Sequence, residues 1–216
     1  MNDLGRLAVE LKTGDEPFLI SGEPAGFDLR SFWQWTASDL VNNSTRGVLA
    51  EYLVARSLRL KVESPRDAWA KFDVETDARI RIEVKSAALV QSWHQERLSK
   101  PSFNYPETVG WDADTNRSTG SSSRHADVYV FALLAHEHKP SIDPMSLDQW
   151  KFYVAATSAI ASRQRSQHSI TLTSLEALCQ DDGQPMWRGP VPYGAELART
   201  ITEVASAARQ GPPGGL

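Results

Sequence analysis

From Asp127 to Leu134 the chain reads Asp-Val-Tyr-Val-Phe-Ala-Leu-Leu, a strand-length run with almost nothing to offer water on either side. A short segment this rich in β-branched and aromatic residues belongs near the middle of a sheet. Trp150 to Ala156 has the same character and length. Upstream, Ala70, Phe72 and Val74 alternate with Lys71, Asp73 and Glu75, and after Thr76, Asp77 and Ala78 the residues Ile80, Ile82 and Val84 alternate with Arg79, Arg81, Glu83 and Lys85. That period of two predicts a β-hairpin with one apolar face. Asn42, Asn43, Ser44 and Thr45 supply candidate N-caps, and Arg46 to Leu58 is free of Gly and Pro after Gly47, so a helix is expected there.

The remaining segments are plainer. Residues 1 to 30, with Gly and Pro at short intervals, read as irregular structure with a short strand around Phe18 to Ile20. Residues 101 to 125 read as a long, mobile connection. Ser174 is expected to cap a short helix over Leu175 to Leu178, Ala195 to Ala208 to form a last helix, and 211–216 to be a disordered tail. No internal repeat is visible. The order of elements predicts a single domain over 1–210 of the α/β or α+β class, with a mixed sheet and its core over about residues 40–160.

At 216 residues the chain is long enough for one well-buried core and too short for two ordinary domains. No apolar run approaches the roughly 20 residues that cross a bilayer, and the first residues lack a basic segment followed by an apolar signal core, so no membrane partner and a cytoplasmic location are expected. The lone Cys179 excludes an internal disulfide and a cysteine zinc site, and reads as a small buried hydrophobe. A net charge of −4 argues against a protein that coats nucleic acid. Its distribution is uneven, however: residues 46 to 100 carry eleven Lys or Arg against eight Asp or Glu, and both flanks are acidic.

Within the basic middle, several acidic groups stand out. On a helical wheel Glu51 falls on the apolar stripe with Val48, Val54, Ala55 and Leu58, and none of its neighbours three or four residues away is a cation. Either another element supplies a partner, or the side chain snorkels to solvent at the edge of the stripe. On the second strand, alternation puts Glu83 and Lys85 on the same face, about 6 to 7 Å apart. Asp73 lies off the apolar face of the first strand. A two-residue turn at Thr76 and Asp77 would set Asp73 across from Ile80, on the wrong side, so joining Asp73 to Glu83 and Lys85 requires a longer turn or a bulge.

A helical Glu51, then Phe72-Asp73, then Ile82-Glu83-Val84-Lys85 resembles the core of the restriction-endonuclease-like, or PD-(D/E)XK, nuclease superfamily. Its pattern is a helical Glu, an Asp, and a Glu-x-Lys on the next strand. Arg46-Gly47 ahead of Glu51, Ser86 after Lys85, and Gln91 further on are similar to its endonuclease and resolvase branches. The resemblance covers roughly residues 44 to 93, with Arg124 to Phe131 and Trp150 to Val154 as later core strands. Phe72 stands where many members have Pro, which leaves Asp73 and Glu75 as alternative ligands. The resemblance implies a mixed central sheet flanked by helices. It also implies an endodeoxyribonuclease of restriction, defence or repair, with Asp73, Glu83 and Glu51 around Mg²⁺, for which Mn²⁺ would substitute. Oxygen ligands suit such a hard cation. Lys85 would then orient or deprotonate the attacking water, and Gln91 would hold the site from behind. A nuclease-fold subunit that binds nucleic acid without cutting it is the alternative. A homodimer would suit double-strand cutting.

Arg46, Lys100, Arg117 and Arg124 are the cations expected to meet DNA phosphates. His136, Glu137 and His138 lack the four-residue histidine spacing of a helical zinc site. The seven Trp are expected mostly at the core or its edge, with Trp93 and Trp111 placed to stack on bases.

Overall fold

The computed structural model describes residues 4–118, 120–163 and 168–210, so the tail over 211–216 lies outside the described residues. A hairpin of β1 (Pro17–Ile20) and β2 (Glu23–Asp28) leads into α1 (Leu29–Ala37), which Asp28 caps by accepting the Ser31 amide at 2.8 Å. Helix α2 (Asn43–Ser57) starts three residues before the expected point, because Asn42 caps it by accepting from the Ser44 amide at 3.0 Å. Then come β3 (Val74–Glu75) and β4 (Arg81–Ala88). The span 101–125 is more regular than expected: β5 (Ser102–Asn104), β6 (Trp111–Asp112) and β7 (Arg117–Ser118) lie within it, with a bridge between Thr108 and Ser123.

The two apolar runs form β8 (Val128–Leu134) and β9 (Trp150–Ala156), within a residue of expectation. After α3 (Thr157–Ala161) and β10 (Ser169–Thr171) comes α4 (Leu172–Gln180), longer than expected and capped by Thr171, to which the Ser174 amide donates. Strand β11 (Trp187–Val191) and α5 (Ala195–Gln210) complete the described fold.

The central sheet has the order β11-β9-β8-β4-β3, with β4 parallel to β8 and the other pairings antiparallel. It is therefore mixed. Every residue of β8 is buried, as a central strand requires. Helix α2 lies against β4 and β3, α5 lies against β8, β9 and β11, and the two helices touch each other. On the opposite side Phe103 and Tyr105 meet Phe131 edge to face, and Tyr153 donates to Glu176 of α4 at 3.0 Å. One contiguous apolar cluster runs through these layers.

Two expectations need correction. The hairpin is much shorter than the alternation implied, since only Val74 and Glu75 pair with β4. The Trp residues also mostly face outward: Trp150 and Trp187 are buried, whereas Trp33, Trp35, Trp69, Trp93 and Trp111 are exposed. Cys179 is half-buried against the core, where burial pushes its thiol up to about 12. Among the described residues no helix is long and apolar enough to cross a membrane.

Candidate active site

The turn between β3 and β4 decides which side chains meet. Val74 pairs with Ile82 and Glu75 with Arg81, so five residues, Thr76 to Ile80, make the connection. Thr76 organises it: its amide donates to the Ile80 carbonyl at 3.0 Å, its hydroxyl accepts from the Ile80 amide at 3.0 Å, and Arg79 turns the chain at φ 59°. This is the longer turn that the pattern required. It brings Asp73 beside Glu83 and Val84. The Asp73 amide donates to the Ile82 carbonyl at 3.0 Å, and its Oδ2 accepts the Val84 amide at 2.7 Å. Glu75, the alternative, stands across from Arg81 and pairs with Arg79 at 3.4 Å.

Glu83 and Lys85 share a face of β4, and the Lys85 ammonium is ion-paired to Glu83. Burial, and then the charge of Asp73, push the Glu83 carboxyl above the usual range against the pull of Lys85. Glu51 comes from α2 and is 13 % exposed. Its partner from another element is Arg66, which donates from Nη2 to Oε1 at 2.9 Å and from Nε to Oε2. Burial raises the Glu51 carboxyl as well, while the hydrogen bond from Arg66 opposes the rise. Arg66 Nη2 also stands 3.9 Å from Asp73 Oδ1. The three carboxylates are therefore within electrostatic reach of one another, joined by Arg66 on one side and Lys85 on the other.

Among the described residues no group of three or more His, Cys, Asp or Glu side chains is placed to hold a metal ion. Mg²⁺ asks for less, since one or two carboxylates suffice when water and substrate phosphate complete its shell. Asp73 and Glu83 stand across from each other and are close enough for the charge of one to act on the other. The donor set fits a hard divalent cation.

Behind the site, Gln91 is buried and tied to Arg46. Arg46 Nε donates to Ser86 Oγ at 3.1 Å, Nη1 to the Val41 carbonyl at 2.7 Å and to Gln91 Oε1 at 3.4 Å, and Nη2 to Asn43 Oδ1 at 2.8 Å. Gln91 in turn donates to the Ala88 carbonyl at 3.0 Å and to Ser99 Oγ at 3.2 Å. Arg46 was expected to meet phosphate, but it is buried and four of its five N–H donors are bonded within the chain. Arg124 is similarly engaged, with Glu107 at 3.0 Å and the Tyr105 carbonyl at 3.3 Å, and its guanidinium lies over the Tyr105 ring. Lys100 and Arg117 are exposed. His136 and His138 each bond the Ser141 hydroxyl at 2.8 Å, and His125 bonds the Thr108 carbonyl at 3.0 Å.

Two residues of the site escaped sequence reasoning. Tyr129 reads as one more core position of a central strand, yet the parallel register sets it beside Glu83. Burial, and then Glu83, raise its phenol. Arg66 was one of several cations that could have answered Glu51, and nothing local singles it out. A groove of about 810 Å³ opens beside Arg66, lined also by Arg6, Trp69, Trp111 and Asn116.

A family model, bacteriophage T4 endonuclease IV, matches residues 31–174, which is 144 of the 216 residues. The chain belongs to that family. The endonuclease IV match takes in Glu51, Arg66, Asp73, Glu83, Lys85, Gln91 and Tyr129, and with them α2, β3, β4 and β8. Within this family member, β11 and α5 lie beyond the matched span. No curated protein and no solved structure matches the chain.

Proposed function

We propose that the chain is a Mg²⁺-dependent endonuclease with a restriction-endonuclease-like core that hydrolyses phosphodiester bonds in DNA. The observation that carries this reading is the position of Asp73, whose carboxylate is fastened to the Val84 amide and so stands beside Glu83, the partner of Lys85. Membership of an endonuclease family supports it. Asp73 and Glu83 would hold the ion, with Glu51 as the third carboxylate, and Mn²⁺ would substitute. When bound, the ion supplies a Lewis acid for the scissile phosphate and a coordinated water of lowered pKa.

The chain's own residues have separate tasks. Lys85, held by Glu83, donates to the attacking water or to a phosphate oxygen on which charge develops. Tyr129 keeps its proton, because burial and Glu83 both disfavour the phenolate, and so it is a donor beside Glu83. Gln91 and Arg46 fix the end of β4 against the start of α2. Phosphate contacts fall to the exposed Lys100 and Arg117 rather than to Arg46 or Arg124. A homodimer would let two such sites cut opposed strands.

Nicking of supercoiled plasmid in Mg²⁺ or Mn²⁺ tests the proposal. The parent converts the plasmid to open circles, and Glu83→Ala and Lys85→Ala are each slower by about a hundredfold or more. Equal activity in all three proteins would remove it.

A further inference from the structure

Glu51 stands apart from the other two carboxylates. Asp73 and Glu83 meet across β3 and β4, whereas Glu51 arrives from α2 with both of its oxygens bonded to Arg66. The same guanidinium stands 3.9 Å from Asp73, so a single arginine neutralises two of the three acids. The exposures are unequal: Glu51 is 13 % and Asp73 17 % exposed, against 43 % for Arg66. The acids are fixed, one by α2 and the other by the Val84 amide. Arg66 instead sits in the stretch between α2 and β3 that carries no helix or strand, and it lines the groove of about 810 Å³. It has room to swing away without disturbing the core.

We propose that Arg66 is an exchangeable counter-ion, which fills the cation position between Glu51 and Asp73 in the absence of a divalent ion and leaves when one binds, freeing Glu51 to join Asp73 and Glu83. The inference rests on the metal-dependent reading above. Three half-buried carboxylates repel one another unless cations stand between them. Lys85 serves Glu83, and Arg66 serves the other two. A divalent ion brings its charge to the same place at about 2.0 to 2.1 Å from its ligands, a distance that leaves no room for a planar guanidinium among the same oxygens. Binding that recruits Glu51 therefore has to break the Arg66 pair, and the strength of that pair is subtracted from the affinity for the ion.

Calorimetric titration with Mn²⁺ on the parent, Arg66→Ala, Arg66→Gln and Glu83→Ala, with thermal melts before and after Mn²⁺, separates the outcomes. Arg66→Ala is expected to bind Mn²⁺ about tenfold more tightly than the parent. It should melt lower without metal and recover most of that loss in saturating Mn²⁺. Arg66→Gln keeps much of the side chain's bulk and a hydrogen-bond donor without the charge, and so shows the same gain if the alanine variant fails to fold. Tight binding in the Arg66 variants with none in the parent would support the exchange equally. A parent that binds Mn²⁺ with no gain, or a loss, in both Arg66 variants overturns the counter-ion role and leaves the metal-dependent reading standing. Absence of binding in every protein overturns both.

Discussion

At Asp73 one carboxylate oxygen accepts the Val84 amide at 2.7 Å and the other lies 3.9 Å from Arg66, so the residue has a structural task and an electrostatic one. Substitution separates them. Asp73→Asn keeps an acceptor for the Val84 amide and removes the charge, so it should melt close to the parent yet lose most of its Mn²⁺ binding. Asp73→Ala also leaves that amide unpaired and should cost about 1 to 2 kcal/mol in urea unfolding. Glu75→Ala, which touches only the surface pair with Arg79, should leave Mn²⁺ binding unchanged. Parental Mn²⁺ affinity in Asp73→Asn would show that Asp73 is no ligand. Little of this was open to sequence reasoning alone, which named Asp73 as the ligand but left Glu75, two positions along, as an open alternative. The contact to Val84, which sets Asp73 apart from Glu75, exists only because the turn is five residues long.

The start of α2 and the end of β4 are joined by one buried side chain. Arg46 donates to Ser86, Val41, Gln91 and Asn43, and burial pulls its guanidinium below the ordinary value. Arg46→Ala would strand these acceptors and open a void, so a loss of about 2 to 4 kcal/mol is expected in urea unfolding. Arg46→Lys should recover little, because one ammonium cannot copy a fork that serves four partners. A variant within about 0.5 kcal/mol of the parent would refute the role. The helix was legible because its signals are local, namely a cap at Asn42 and a run free of Gly and Pro after Gly47. The hairpin was legible in type but not in length. Alternation continues back through Phe72 and Ala70, but there the backbone leaves the sheet and only its last two residues pair.

Across the whole molecule, Asp127 gathers the ends of distant elements. Its Oδ1 accepts from Arg81 Nη2 at 2.6 Å, its Oδ2 accepts from the Arg81 amide at 2.9 Å, and Arg209 of α5 stands 3.9 Å away. Burial by itself would raise this carboxyl, but the hydrogen bonds and charge of Arg81 outweigh it and hold the group below the usual range. A carboxyl depressed in the folded state contributes stability that is fully present above its unfolded pKa, about 3.9, and is lost as pH falls through the lower folded value. Asp127→Asn should therefore cost about 1 kcal/mol at pH 7, with the gap to the parent closing below about pH 4. A gap independent of pH would show that the ion pair is not its source. The class of fold, the central strands β8 and β9, the helix carrying Glu51, and the shared face of Glu83 and Lys85 were all legible in the residue order, because burial patterns and caps act over a few residues. It took the folded arrangement to show that Arg66 answers Glu51, that Tyr129 stands beside Glu83, that Arg46 turns inward, and that five Trp face outward. Those outcomes join residues 15 to 46 positions apart or set whole surfaces, and the free energy that selects them comes from packing and charge between elements, which no local pattern carries.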